Sequence, residues 1–456
     1  MLAMRADKSH TAMTASMEWA VGMEAAFIDA ERESKGVRGM SVGRIVTVVT
    51  VLALVAAMPP KKSYAQAFGV ELGASMMPAS GGMGGTSVAR PQDVQSALMN
   101  NPATLSQFKG TQFSFGGGWA EPTINIDNNA TLPLASITPY RAKSQRPGSI
   151  VGNIGVTQDF EALGLPITTG MGLLTSSGLG VDYRRELESN GTSAEFVVLG
   201  TAIGAGVELT DRLSVGALAA VSTATMDGIF AGVSSEVPDY NVRGSLGLTY
   251  DVRPCTTIGA FWKSEEKHTF DNFFRPATLN APFQDVRVSL PEHYGIGIAD
   301  RSLMGGRLLL GLDLLYYRWE DTDLFGALWE DQFAVQTGMQ YTTRRGINLR
   351  MGYTFAENAS RNIVLQDIGG VINPTPAANY IQALFPNINR NRISFGIGVK
   401  EILPGVDFDV FAGGMFEETE TFGLTSASVE SYWVGFGTTW RFRRGSCKSL
   451  RIPDQW

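Results

Sequence analysis

The chain has 456 residues, 44% of them hydrophobic and 18% charged, with 52 glycines and a formal net charge of −7. The charged fraction lies below the roughly 25% usual in soluble domains, and glycine exceeds its usual ~7%. Mild acidity without a Lys/Arg block argues against a nucleic-acid partner, and two isolated cysteines, Cys255 and Cys447, indicate neither a disulfide framework nor a zinc site.

The stretch from Ile45 to Met58 is apolar apart from two threonines. At about fourteen residues it is too short to span a bilayer as a helix, which needs ~20, but it suits a signal-peptide core. Arg44 precedes it, and Ala65-Gln66-Ala67 offers a small-x-small cleavage pattern, although Lys61 and Lys62 are atypical between core and site. Residues 1–67 therefore read as leader and signal peptide, with Met40 a candidate true start. The rest of the sequence contains no segment suited to a transmembrane helix, so a membrane protein here must be a barrel.

Residues 68–108 do not alternate. Ser80-Gly81-Gly82-Met83-Gly84-Gly85 is glycine-rich, and Pro91 to Leu98 reads as a short helix with proline at its start. Asn100-Asn101-Pro102-Ala103 then stops it, because the residue before proline avoids the helical region. A disordered linker is the plain alternative. The apolar anchors Val70, Leu72, Met76, Met77, Leu98 and Leu105, with almost no charge between them, favour a compact plug instead.

From residue 109 to 443 the pattern has period two. In Ser431 to Phe442, Tyr432, Val434, Phe436, Thr438, Trp440 and Phe442 fall on one face, and Trp433, Gly435, Gly437, Thr439 and Arg441 on the other. Similar segments recur near residues 111–124, 147–158, 166–180, 194–208, 213–230, 240–252, 256–269, 285–300, 307–320, 331–342, 346–356, 391–402 and 405–418. After every even strand the link is short, as at Thr210-Asp211-Arg212 and Leu403-Pro404; after odd strands it is longer. Short turns at one end and long loops at the other, with an even count of about fourteen, are the pattern of a transmembrane antiparallel β-barrel. Ile393, Phe395, Leu349, Leu312, Val434, Phe436 and Trp440 are expected to face lipid, and Arg350, Arg392, Gly398 and Asp313 the lumen. Glycine weakens a strand unless another chain segment approaches closely, which a lumen plug would provide.

Catalytic chemistry is not indicated. Gly39-Met40-Ser41-Val42-Gly43 matches a nucleophile-elbow string but abuts the signal peptide rather than a strand-turn-helix. His268 and His293 have no evident partner in sequence and read as surface or interface residues. No metal-ligand spacing appears, and no cofactor is implied. Inward cations, among them Arg243, Arg350 and Arg392, suit either a ligand carboxylate or pairing with lumen acids such as Asp313, Asp407 and Asp409. Phe270, Phe273, Phe274, Pro276, Leu279 and Phe283 form either an exposed apolar groove or a cap packed on itself.

The segment Phe68-Gly69-Val70-Glu71-Leu72, the Ser80–Gly85 run, Asp93 and Asn101-Pro102-Ala103 resemble the amino-terminal hatch of FadL-type transporters of long-chain fatty acids and aromatic hydrocarbons. Weaker similarity continues in Ser289-Leu290-Pro291-Glu292, in Leu314 to Trp319 and around Arg350-Met351-Gly352-Tyr353. The resemblance spans about Phe68 to Phe442 and departs in a tail, 444–456, that follows Arg443 and ends on Trp456. It implies a bacterial outer-membrane channel for passive uptake of hydrophobic molecules, with a 68–108 hatch gating a 109–443 barrel. A hydrophobic small-molecule ligand, lipid and lipopolysaccharide are the expected partners of a monomer, and the lack of a catalytic set reads as no enzyme. It further implies a kink in the third strand that opens the wall sideways beside Asn101, Pro102 and Ala103, with Gly81, Gly82 and Gly84 in the hatch and Gly170, Gly172 and Gly178 as kink candidates. Asn101 is then expected to hold the hatch against that strand. The competing reading is a non-transporting barrel that serves as a surface receptor or structural protein.

Overall fold

A computed structural model describes residues 73–228, 237–274, 282–361, 363, 365–368 and 371–442. The leader and signal segment, residues 68–72, Pro276, Leu279 and the tail from residue 443 lie outside the described residues.

Fourteen antiparallel strands form one closed wall. They are β1 Thr111–Asn128, β2 Ser149–Asp159, β3 Ile167–Asp182 and β4 Ser193–Glu208. β5 Leu213–Gly228, β6 Val237–Arg253, β7 Thr256–Lys263, β8 His293–Asp300 and β9 Leu308–Tyr317 follow. β10 Gln332–Thr342, β11 Ile347–Ala356, β12 Asn391–Leu403, β13 Val406–Phe422 and β14 Thr425–Arg441 complete the series. Each strand pairs with the next, and β14 returns to β1 from Gln112↔Arg441 to Asn128↔Thr425. Closure removes the free edges that hydrocarbon could not solvate.

The faces fall where the alternation places them. Phe395 and Ile397 are 50% and 55% exposed on the outside, whereas Arg350 and Asp313 are 7% and 2% exposed inside. Charge at mid-wall toward lipid costs ~2–4 kcal/mol, so slipping any strand by one residue is strongly opposed. Aromatic pairs bracket the outer apolar belt: Trp119 meets Tyr432 with ring centroids 5.6 Å apart, and Phe113 meets Trp440 at 5.4 Å. Tyr432 and Trp440 are eight residues apart in sequence, which at ~3.3 Å per residue and a tilt near 40° makes the belt about 20 Å tall, close to the ~25 Å of transmembrane barrels.

Two departures from the sequence reading have physical causes. β13 and β14 meet in a two-residue turn at Gly423-Leu424 rather than a long loop, because both strands continue past the belt with Phe422 still paired to Thr425. The strand expected over 256–269 leaves the wall after Lys263. Its continuation, Glu266–Phe274, pairs with Gln284–Leu290 as a separate hairpin before β8 begins at His293.

Over the long-loop end lies a buried core. The helix Thr375–Leu384 packs there with Trp319, Phe325, Trp329 and Phe385, Phe325 stacking on Trp329 at 4.4 Å. Phe270 and Phe273 are 0% and 3% exposed within the same core, so they form part of a cap and not an exposed groove. Phe283 is on the surface at 43% exposure, and Phe274 ends the first strand of the hairpin.

Candidate functional site

The amino-terminal segment from residue 73 to 108 fills the lumen, and its local structure follows from its sequence. Asp93 caps the helix α1, Val94–Met99, by accepting from Ser96 N at 2.8 Å, so the helix begins three residues after Pro91 and not at it. The other Asp93 oxygen accepts from Ala79 N and Ser80 N at 3.0 and 2.8 Å, stapling the glycine-rich turn to the helix. Asn101 adopts the extended backbone that a following proline demands. Its Oδ1 accepts from Ala103 N at 3.1 Å and starts the tight turn Pro102–Gln107.

Glycines on the inner face of the wall receive this segment. Gly206, Gly216 and Gly247 stand side by side on β4, β5 and β6. A Cβ at Gly216 would lie 2.3 Å from Ala103 N, and one at Gly247 2.0 Å from Asn101 Oδ1. A second row, Gly311, Gly338 and Gly352, crosses β9, β10 and β11; at Gly352 a Cβ would lie 1.9 Å from Gly84 N. Gly82 presses on Gly396, and Gly81 lies against Phe411. The left-handed Gly84 (φ +70°) donates its N–H to Ser394 Oγ at 2.9 Å and accepts from Thr354 Oγ1 at 2.9 Å. Close backbone approach is the circumstance that justifies glycine in a strand.

Asn101 is held by a different strand from the one expected. Its Nδ2 donates to Val88 O at 2.7 Å and to Leu248 O of β6 at 3.1 Å. The glycine row across β4–β6 exposes wall backbone without side chains, so the Asn-Pro-Ala backbone settles there. β3 instead receives side chains: a Cβ at Gly170 would meet Leu105 at 2.8 Å, and one at Gly172 would meet Leu98 at 2.8 Å. β3 does carry an irregularity, a bulge at Ser176 between Thr175↔Leu199 and Ser177↔Val198. It falls between Gly172 and Gly178 and on neither, Gly178 being regularly paired with Val197.

Beside that bulge the wall is thin. The ladder between β2 and β3 runs from Ile154↔Leu173 to Asp159↔Thr168. Above it the side chain of Asn153 accepts from Thr175 N at 3.0 Å, and the preceding loop takes over, with Gln145 N donating to Asp182 O at 2.8 Å. On the lumen side lies a crevice of about 430 Å³, counted with the space open to solvent. Leu98 and Met99 of α1 and Leu174, Gly200, Ala202 and Leu218 of the wall make it apolar, and Arg243, Lys263 and Glu266 border its polar end.

The three candidate arginines have separate settings. Arg243 borders the crevice and donates to Ser264 O and Pro291 O at 2.7 and 2.6 Å, with Glu266 3.8 Å away. Arg350 pairs with Asp409 and Gln340 beside a second, polar space of about 730 Å³, where Arg441 also pairs with Asp407. Arg392 lies on the lumen face of β12, and among the described residues its Nε has no hydrogen-bond partner. Among the described residues Asp313 pairs with no cation. It accepts from Ser87 N and Val88 N at 2.7 and 3.0 Å, tying the segment to β9.

Both histidines are buried and partnered, contrary to the surface reading. His268 Nδ1 lies 3.0 Å from Asp239 and Nε2 3.0 Å from Glu266. His293 packs on Phe261 and Tyr317, with Nδ1 3.4 Å from Arg243. Burial alone would raise the Glu266 carboxyl, but the His268 hydrogen bond and the Arg243 charge outweigh it and hold it below the usual range. Among the described residues no group of His, Cys, Asp and Glu is arranged to hold a metal ion. Sequence reasoning missed the contact roles of Gly206, Gly216 and Gly247; equal spacing of glycines on neighbouring strands is the signal that marks them.

No family model and no curated sequence matches the chain. Solved structures do. The P. putida toluene transporter TodX superposes with a TM-score of 0.60 at 18% identity, covering 83% of this chain and 99% of its own. A Pseudomonas aeruginosa FadL homologue gives 0.60 at 12% identity, covering 84% and 100%. The Ralstonia pickettii toluene transporter TbuX gives 0.55 at 18%, covering 82% and 100%. This chain has the FadL-type transporter fold. Within the FadL-type barrel, the crevice, the Ser176 bulge and the short β2–β3 ladder lie together, on β2–β7 and the end of α1.

Proposed function

We propose that this protein is an outer-membrane channel for passive uptake of hydrophobic molecules, long-chain fatty acids or aromatic hydrocarbons, as a monomer among lipid and lipopolysaccharide and without catalysis. The segment 73–108 is its hatch, the short-turn end faces the periplasm, and the interrupted β2–β3 ladder is a lateral exit. The observation that carries this reading is the apolar crevice between the end of α1 and the wall, which reaches the Ser176 bulge. An apolar solute gains ~25 cal/mol per Å² of surface withdrawn from water, so an apolar crevice that ends beside the interrupted β2–β3 ladder gives it a route toward the bilayer. The solved relatives named toluene transporters support the substrate class.

Asn101 is the hatch residue on which the test turns. Replacing it with Ala leaves the carbonyls of Val88 and Leu248 without its donors, a cost of ~1–3 kcal/mol. In liposomes, the wild type is expected to admit labelled toluene or oleate faster than empty vesicles do. Asn101→Ala is expected to change that rate while the barrel stays heat-resistant on a gel. A wild-type rate equal to that of empty vesicles would support the receptor reading instead.

A further inference from the structure

Hatch or wall atoms crowd the other lumen-facing glycines discussed above; Gly200 is different. It lies on β4 between Leu174 of β3 and Ser222 of β5, and it faces the lumen, since Val198 and Ala202 on its face are buried and Leu199 beside it is exposed. A Cβ at Gly200 would meet Ser222 Oγ at 3.4 Å and nothing nearer, an ordinary contact. On the same face of the same strand, a Cβ at Gly206 would lie 2.8 Å from Ser106 N of the hatch. Glycine inside a strand is less stable than alanine by ~0.5–1 kcal/mol, and at Gly200 no approaching chain requires it. What glycine supplies there is empty space, and that space belongs to the crevice. Leu174, directly opposite, stands two residues before the bulged Ser176, so the space opens where the β3 ladder is irregular.

We propose that Gly200 sets the bore of the crevice and hence the girth of the molecules the channel passes. The inference rests on the uptake reading above. A side chain at this position stands beside Ser222 of β5 and Leu174 of β3 and enters the crevice that Leu98 also lines, narrowing the apolar path. Wide solutes are then excluded before slender ones.

The test measures liposome uptake of toluene, naphthalene and dodecanoate by the wild type, Gly200→Ala and Gly200→Leu. Gly200→Ala is expected to slow naphthalene more than toluene or dodecanoate. Gly200→Leu, which overfills the crevice, is expected to slow all three by about tenfold or more. Should Gly200→Leu fail to assemble, Gly200→Cys in a Cys255→Ser, Cys447→Ser background, alkylated after folding with thiol reagents of rising size, provides the same series. Uptake of all three probes at the unmodified rate, by folded Gly200→Leu or by the fully alkylated cysteine variant, would overturn the bore assignment while leaving uptake itself intact. A wild type that admits none of them fails on the uptake reading, not on Gly200.

Discussion

Gly352 and Gly200 are both lumen glycines, yet an added methyl group has opposite consequences at the two positions. At Gly352 the methyl would lie 1.9 Å from Gly84 N, backbone against backbone, with no side chain free to yield. At Gly200 it enters open space. Gly352→Ala is therefore expected to displace the glycine-rich turn and speed protease cleavage within residues 73–108, whereas Gly200→Ala leaves cleavage at the wild-type rate. Limited proteolysis of the folded barrels compares them, and equal cleavage would count against a backbone contact at Gly352. Residue roles were the least legible part of the sequence. Asp313 reads there as one more lumen acid awaiting a cation, because nothing local shows that two amides 225 and 226 residues earlier in the chain fill its lone pairs.

At the scale of elements, the hairpin formed by Glu266–Phe274 and Gln284–Leu290 is pinned through charge. Asp239 Oδ2 accepts from Thr269 N at 3.1 Å as well as facing His268, and Glu266 meets the other imidazole nitrogen. Because the folded pKa of Glu266 is depressed, its contribution to stability is present above the unfolded value, ~4.3, and is lost as pH falls through the folded one. Hydrogen exchange at the amides of 266–274 and 284–290 is expected to accelerate below that range in the wild type. Glu266→Gln, which no longer titrates, is expected to lose this acid dependence; an unchanged profile would show that Glu266 does not hold the hairpin. The alternation and the short links made the wall strands legible, because lipid on one side and a filled lumen on the other impose opposite chemistry on alternate residues. Legibility ends above the belt. There β13 and β14 run on through Glu418, Thr419, Glu420 and Thr421 against Ser426, Ser428 and Val429, a polar stretch that reads as loop because no lipid selects its outer face.

For the whole molecule, the inside is as constrained as the outside. From sequence alone, Arg at Phe395 is expected to block assembly and Arg at Gly396 to be tolerated better. The amino-terminal segment changes the second expectation, since a Cβ at Gly396 would already lie 3.1 Å from Gly82 Cα and an arginine there would press on the segment. The informative comparison is Phe395→Arg with Thr439→Arg, because Thr439 borders the polar space. Phe395→Arg, costing ~2–4 kcal/mol at mid-belt, is expected to abolish the heat-resistant band, and Thr439→Arg to retain it. Retention of the band by both would contradict the assigned facing. The filled lumen was legible in outline from the wealth of strand glycines. Which glycines meet which atoms of the amino-terminal segment depends on register across fourteen strands, which no single segment contains.

The seam between β1 and β14 joins residues paired from Gln112↔Arg441 to Asn128↔Thr425, the first wall strand to the last. The segment 73–108 precedes β1 in the chain, and it fits backbone on backbone at Gly216 and Gly352. A segment held this closely, beneath a packed cap at the long-loop end, is expected to seat most readily before the cylinder is finished. The contacts lead us to expect an order of events in biogenesis: the amino-terminal segment in place while the sheet is still open, and the seam closing last, around it. The amino-terminal segment is in that sense a casting core, and the glycine rows on the wall are its imprint.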